Sequence, residues 1–273
     1  MIDRWQLLFP AQAGPEPRCV SVYLPADYTR SAASYPVLYL FDGQNAFSGD
    51  PGFYGASWQL EQLLDRAGAR LIVVAAASSA DLDTARMEEY APFSYTHKFF
   101  GAHTGRGQAT MDWYVHILKP AVDARYRTRP GRADTCILGC SLGGLMSLYA
   151  LLACNDTFHG AAALSPSLWA GTGELRQLIR TAPLDADTVL YLDYGQVEYK
   201  QHKGMDHLLP DFGRALLARR VLLTQRLVPG GTHSGESWLH RLPFALAALY
   251  GESWLCPGAA DSCEKCENMP PMH

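Results

Sequence analysis

With 273 residues, 48% hydrophobic and 18% charged, the chain has the composition expected of a soluble globular protein long enough to bury a substantial core. A formal net charge of -4 supplies no electrostatic footprint for nucleic acid. No apolar run approaches the roughly 18 residues that span a bilayer, and the opening MIDRWQLLFPAQAG lacks a basic segment ahead of a long apolar one, so no signal peptide is read and a cytoplasmic protein is expected.

Short β-branched and aromatic runs alternate with longer stretches of helical period. Strands are expected at 19–24 and 37–41, then a helix at 57–67 and a strand at 71–76. A helix at 109–125 leads to a strand at 135–139, followed at once by a helix at 142–153 and a strand at 161–164. The remainder reads as helix 173–179, strand 189–193, helix 206–218, strand 221–228 and helix 236–249. Several strands are apolar on both faces, as in a sheet covered on both sides. The alternation predicts a three-layer α/β sandwich whose mostly parallel central sheet has helices on both faces. No internal repeat and no separating linker is found, so 1–250 reads as one domain and 251–273 as a cysteine-containing tail.

Two long loops, 41–55 and 78–108, follow strands at their carboxyl ends, the edge where open α/β sheets place ligands. Their aromatics, among them Phe47, Phe53, Tyr54, Tyr90, Phe99 and Phe100, either pack the loops down or line a cleft.

The stretch ILGCSLGGLMSLY, 137–149, carries a Gly-x-Ser-x-Gly motif, which chance alone would supply in about one chain in ten of this length. Its setting is more telling. With a strand ending at Gly139 and a helix starting at Leu142, Ser141 occupies a tight strand-to-helix turn that exposes a nucleophile. Glycines at 139 and 143 let strand and helix close without a Cβ between them, and the helix N-terminus favours developing negative charge. A serine hydroxyl needs a base. His233, in VPGGTHSGESW, follows the last strand on a glycine-rich approach, whereas His207 and His240 fall inside helical patterns. YLDYGQVEYKQ offers two acids to orient the imidazole: Asp193 at a strand end, and Glu198 in the loop beyond, from which it can reach the histidine. Glu198 is favoured; Asp193 stays open. Oxyanion donors are expected from the Leu142 amide and from the backbone of Gln44 or Asn45 in FDGQN, a stretch that also reads as an ordinary Asp-Gly turn.

Taken together, PVLYLFDGQNAF, MEEYAP, LKPAVDARYRTRP, ILGCSLGGLMSLYAL, ALSPSLW, LYLDYGQVEY and PGGTHSGESWLHRLP resemble the esterases of the esterase D and enterochelin-esterase-like type, within the α/β-hydrolase superfamily. They occur in family order across 36–249. The resemblance implies Ser141 as nucleophile, His233 as base and an acid at the position of Glu198, where members often carry Asp. Cys140 stands where a serine commonly precedes the nucleophile. The implied reaction is acyl transfer through an acyl-enzyme, with no metal or organic cofactor. The implied substrates are small acyl esters such as acetylated or feruloylated sugars; a siderophore trilactone, or acyl transfer to a sugar acceptor, is the alternative. Intact Ser141 and His233 weigh against a binding protein that kept the fold and lost activity. Trp58, Tyr90 and Trp169 are candidate walls for a sugar or aryl group, though Trp58 and Trp169 also read as core anchors. Partners are then a small-molecule or oligosaccharide ester and, at most, a second copy in a homodimer, with neither nucleic acid nor membrane.

Of the seven cysteines, Cys19, Cys136, Cys140 and Cys154 sit in or beside core-like segments and read as small buried hydrophobes. Cys256, Cys263, Cys266 and His273 have the ligand count of a structural zinc, but the single C-x-x-C lacks a partner pair, and no metal is expected.

Overall fold

The structure is a computed structural model that describes residues 1–50, 52, 57–201, 204–252 and 254. Phe53 and Tyr54, and the tail ligand set Cys256, Cys263, Cys266 and His273, lie outside the described residues.

Among the described residues, eight strands form one sheet. In chain order they are β1 (Ile2–Ala11), β2 (Gly14–Tyr23), β3 (Val37–Leu40), β4 (Ile72–Ala76), β7 (Thr135–Cys140), β8 (Gly160–Leu164), β9 (Val189–Gly195) and β10 (Leu222–Val228), with a separate small hairpin, β5 (Tyr95–His97) and β6 (Gly101–His103), between β4 and β7. The spatial order is β1-β2-β4-β3-β7-β8-β9-β10. β1 and β2 run antiparallel to their neighbours, and every pairing from β4 to β10 is parallel. Seven of these strands match the sequence reading. β1 was not anticipated, and β2 begins five residues earlier than the pattern suggested, because each supplies the other's ladder along ten paired positions.

The central strands β3, β4, β7 and β8 are buried at every position, which explains why they read as unbroken apolar runs. Their side chains alternate between two cores. Val37, Tyr39, Ile137 and Ala161 face a layer made by α3–α4 (Gly107–Trp113 and Lys119–Arg125, joined by a π-helical turn at Tyr114–Leu118), α5 (Leu142–Ala153), α6 (Thr172–Thr181) and α8 (Met205–Ala218). Leu38, Leu40, Leu138 and Ala162 face α1 (Leu60–Arg66) and α9 (Gly235–Tyr250). The three layers predicted are therefore present. α5 is buried from Leu142 to Leu152, as a helix apolar on all sides must be.

Two short helices went unread: α2 (Ala85–Glu89), inside the second long loop, and α7 (Gln196–Gln201), directly after β9. Glu198 thus stands on a helical turn rather than in a loop. Among the cysteines, Cys136 and Cys140 are buried and Cys154 is half-buried, but Cys19 is exposed, because its position on β2 points away from the core that Val20 and Val22 enter.

Candidate active site

The elbow at Ser141 is built by three constraints. β7 ends at Cys140 and α5 starts at Leu142, leaving one residue to reverse direction, and Ser141 does so at φ 59°, ψ -120°. That backbone conformation ordinarily belongs to glycine, so its occupation by serine is strained. Close packing leaves no alternative: a Cβ on Gly139 would lie 2.3 Å from the Gly143 carbonyl oxygen. The second tight glycine is Gly144, where a Cβ would come 2.9 Å from the Leu164 carbonyl oxygen. Gly143, expected to pack against the strand, instead meets the Phe41 Cβ at 3.1 Å, at the end of β3. The Ser141 N–H donates to the Leu164 carbonyl at 2.9 Å, which ties the elbow to β8.

His233 lies in the loop between β10 and α9, with its side chain 35% exposed. Its Nε2 is 3.0 Å from Ser141 Oγ and its Nδ1 is 2.6 Å from Glu198 Oε2. The tautomer that satisfies both contacts donates from Nδ1–H to the carboxylate and accepts the serine proton at Nε2. Trp238, on α9, meets the imidazole edge to face at 4.8 Å. Glu198 is 1% exposed. Burial pushes its pKa up, but hydrogen bonds from His233 and Ser165, the charge of His233 and the Gly195 N–H outweigh burial and hold it below the usual carboxylate value.

Asp193, the other sequence candidate, is fully buried and faces elsewhere. Tyr191 donates to its Oδ2 at 2.8 Å and Arg241 Nη1 to its Oδ1 at 3.2 Å. Burial raises its pKa despite the Arg241 charge. Arg241 itself is 1% exposed and was missed in the sequence, although its spacing of four from Ala245 and eight from Leu249 sets it on the buried stripe of α9.

Upstream of the elbow, FDGQN forms a single 3-10 turn, Gly43–Asn45, after Asp42 at φ 57°. The Asn45 N–H donates to the Asp42 carbonyl at 2.9 Å. Asn45 is thereby corrected as an oxyanion donor, since its amide is already committed. Gln44 and Leu142, each in the first turn of a helix, present amides that have no acceptor within their own helix. The turn is anchored from α2: Arg86 Nε and Nη2 pair with the two Asp42 oxygens at 2.7 Å each, and the Asp42 N–H donates to Tyr90 Oη at 3.0 Å. Three of the five described non-glycine residues with positive φ, Asp42, Ser141 and Ser165, converge on this site.

An open cavity of about 990 Å³ lies over Ser141 and His233. Trp58, Trp238, Met87, Phe99 and Phe100 form its apolar lining. Trp58, read as a wall or a core anchor, stands in this lining. Tyr90 does not: it is 2% exposed and serves the Asp42 turn from behind. Trp169 is also outside the cavity lining and backs the β5–β6 hairpin, stacking on Phe100 at 5.6 Å. Among the described lining residues, Phe99 and Phe100 are exposed rings, 80% and 53% accessible, in the turn between β5 and β6. Among the described residues, the charged groups lining the cavity are Asp42, Asp83, Glu236 and Arg86, three carboxylates against one guanidinium. Among the described residues, no group of three His, Cys, Asp or Glu is placed to hold a metal ion, and no helix is long and apolar enough to cross a membrane.

Residues 12–249 match the family described as "Putative esterase", and the chain belongs to that family. Siderophore triacetylfusarinine C esterase of Aspergillus fumigatus is 26% identical over 209 residues, 72% of this chain and 69% of the relative. YbbA of Bacillus subtilis (strain 168), described as uncharacterized, is 24% identical over 157 residues, 56% of this chain and 58% of its own length, so the chain spans little more than half of that relative. The crystal structure of an IroE-like serine hydrolase from Shewanella oneidensis superposes with a TM-score of 0.68 at 20% identity, covering 87% of this chain and 78% of that one. The shared fold is that of the α/β-hydrolases.

Proposed function

We propose that the chain is a serine esterase that works through a Ser141–His233–Glu198 triad and an acyl-enzyme. The observation that carries this reading is the continuous relay from Ser141 Oγ through both nitrogens of His233 to a buried carboxylate, at 3.0 and 2.6 Å. As Ser141 Oγ attacks the ester carbonyl, His233 Nε2 takes its proton, and Glu198 stabilises the imidazolium across Nδ1. The tetrahedral oxyanion is received by the amides of Leu142 and Gln44, each donor contributing about 10²–10³ in rate. His233 then returns the proton to the leaving alcohol, and water repeats the sequence to free the acid.

The substrates proposed are small uncharged acyl esters, including acetylated or feruloylated sugars. Flat aromatic rings at Trp58, Phe99 and Phe100 suit a sugar face or an aryl acyl group. The excess of carboxylates in the lining disfavours anionic ligands, because the field of a partly enclosed cleft is focused on whatever enters. A siderophore ester is the second reading, supported by the Aspergillus fumigatus relative. The same lining favours an uncharged siderophore over a catecholate one.

Turnover of p-nitrophenyl acetate by wild type and Ser141→Ala tests the triad. Loss of about 10³-fold or more is expected, and equal rates would refute it. Acetylated xylo-oligosaccharides, methyl ferulate and a catecholate trilactone then separate the substrates, with the trilactone expected to be slowest.

A further inference from the structure

We propose that Arg241 is a positioning residue for the triad: it holds one oxygen of Glu198 and neutralises Asp193 behind it, so that the other Glu198 oxygen is reserved for His233. This rests on the triad reading above.

A buried guanidinium draws its partners from the protein around it, and among the described residues both terminal nitrogens of Arg241 find them while Nε does not. Arg241 Nη1 donates to Ser165 Oγ at 2.9 Å, Asp193 Oδ1 at 3.2 Å and Glu198 Oε1 at 3.3 Å. Its Nη2 donates to the Thr232 carbonyl and to Ser237 Oγ, both at 2.8 Å, and to Glu198 Oε1 at 3.3 Å. One side chain therefore ties the histidine loop, β9, α7 and the turn after β8 together.

The two oxygens of Glu198 are treated unequally. Oε1 also receives the Gly195 N–H at 2.7 Å and the Ser165 hydroxyl at 2.5 Å, while Oε2 faces His233. Ser165 Oγ accepts from Trp238 Nε1 at 3.1 Å and from Arg241, so its one proton is directed at Glu198. Held by this set of donors, the carboxylate cannot turn to present its other oxygen.

Charge gives the second half of the case. Two buried carboxylates and one guanidinium leave a single negative charge opposite His233, which a transient imidazolium neutralises. On the cavity side of His233 stand Asp83, Glu236 and the Asp42–Arg86 pair, which are the same in wild type and in every Arg241 variant; the neighbours within the buried cluster do not alter its sum at neutral pH. Tyr191, Tyr194 and the Cys140 thiol, which lie beside these carboxylates, are all pushed above their usual values by burial and stay neutral. Arg226 reaches the cluster only through Tyr191 Oη, at 3.4 Å.

Four proteins test the assignment by the pH dependence of p-nitrophenyl acetate turnover, with thermal unfolding alongside: wild type, Arg241→Met, Arg241→Lys and the double variant Asp193→Asn/Arg241→Met. Arg241→Met should lower kcat by about 10²-fold with KM within about twofold. Its acid limb of kcat/KM should move to higher pH, because the imidazolium then faces an additional negative charge. The double variant should return the limb and the thermal midpoint towards wild type while kcat stays low, since Oε1 is still released. Arg241→Lys keeps the charge and loses the fork, so its limb should not move and kcat should fall by about tenfold. Wild-type kcat in the double variant would reduce Arg241 to a counter-ion of Asp193 and overturn the proposal, as would wild-type kcat in Arg241→Lys. Should Arg241→Met not fold, those two variants decide. Full activity in Ser141→Ala would instead remove the triad reading itself, an outcome read separately from all three Arg241 proteins.

Discussion

Gly139→Ala is the smallest change that reaches the elbow without touching any reacting group. The added Cβ would lie 2.3 Å from the Gly143 carbonyl oxygen and 2.4 Å from its carbonyl carbon. Relief to an ordinary contact near 3.4 Å moves the start of α5 away from β7 by about 1.1 Å. Neither partner gives easily, since both are backbone and β7 is hydrogen-bonded on both sides, to β3 and β8. Overpacking of this kind costs about 1–3 kcal/mol, which for a chain of this size lowers the thermal midpoint by roughly 2–10 °C. The effect on chemistry should be larger. Ser141 rides on the displaced helix start, and a shift of about 1 Å in its 3.0 Å contact with His233 costs about 10²-fold in kcat/KM. Gly131→Ala is the internal control, because nothing lies within 4 Å of the Cβ it would add. The assay is p-nitrophenyl acetate turnover beside a thermal melt of both variants. Wild-type kcat/KM in Gly139→Ala, or an equal loss in Gly131→Ala, would refute the close-packing account of the elbow.

Glu198→Gln should lose stability relative to wild type near neutral pH, with the gap narrowing as pH falls below 4.5. The folded carboxyl titrates below that ordinary value, so its stabilisation is present above the unfolded pKa and is lost as pH descends through the folded one; midpoints measured from pH 3 to 7 check this. Arg86→Met breaks the nearly buried pair with Asp42 and should cost about 3–5 kcal/mol in urea unfolding, part of which Asp42→Asn/Arg86→Met recovers. Phe99→Ser should leave the thermal midpoint nearly unchanged and raise KM for methyl ferulate by about tenfold, since the ring is 80% exposed, lines the cavity and meets only His97 and Lys98 at the hairpin surface among the ring contacts described. An unchanged KM would detach the hairpin from substrate binding.

The sheet's centre was legible because burial on both faces leaves a period-free apolar run, as in Val37–Leu40 and Ile72–Ala76. β1 was not, because it is an edge strand of mixed exposure whose identity comes from its partner β2. Helices as short as Ala85–Glu89 and Gln196–Gln201 are too brief to show a period at all. Ser141, His233 and Glu198 could be nominated from position relative to strands, and these three side chains do meet. The cavity walls could not. Tyr90 and Trp169 carry the right ring for a wall, but whether a ring faces solvent is decided by loop packing far from it in sequence. Arg241 was overlooked for the opposite reason. A charged residue on an apolar stripe reads as a surface position until the two carboxylates that receive it are brought together by the fold.

The backbone at Ser141 also bears on how such an enzyme can change over generations. A serine at φ 59° carries strain of about 1–3 kcal/mol that glycine would not, so Ser141→Gly should produce a more stable protein with no nucleophile. Ser141→Ala, which keeps a Cβ, should gain none of that stability. Selection for a well-folded chain therefore opposes the residue that selection for turnover retains. In a lineage released from the need to hydrolyse its ester, position 141 is where drift should register first, and glycine is the residue that should appear there.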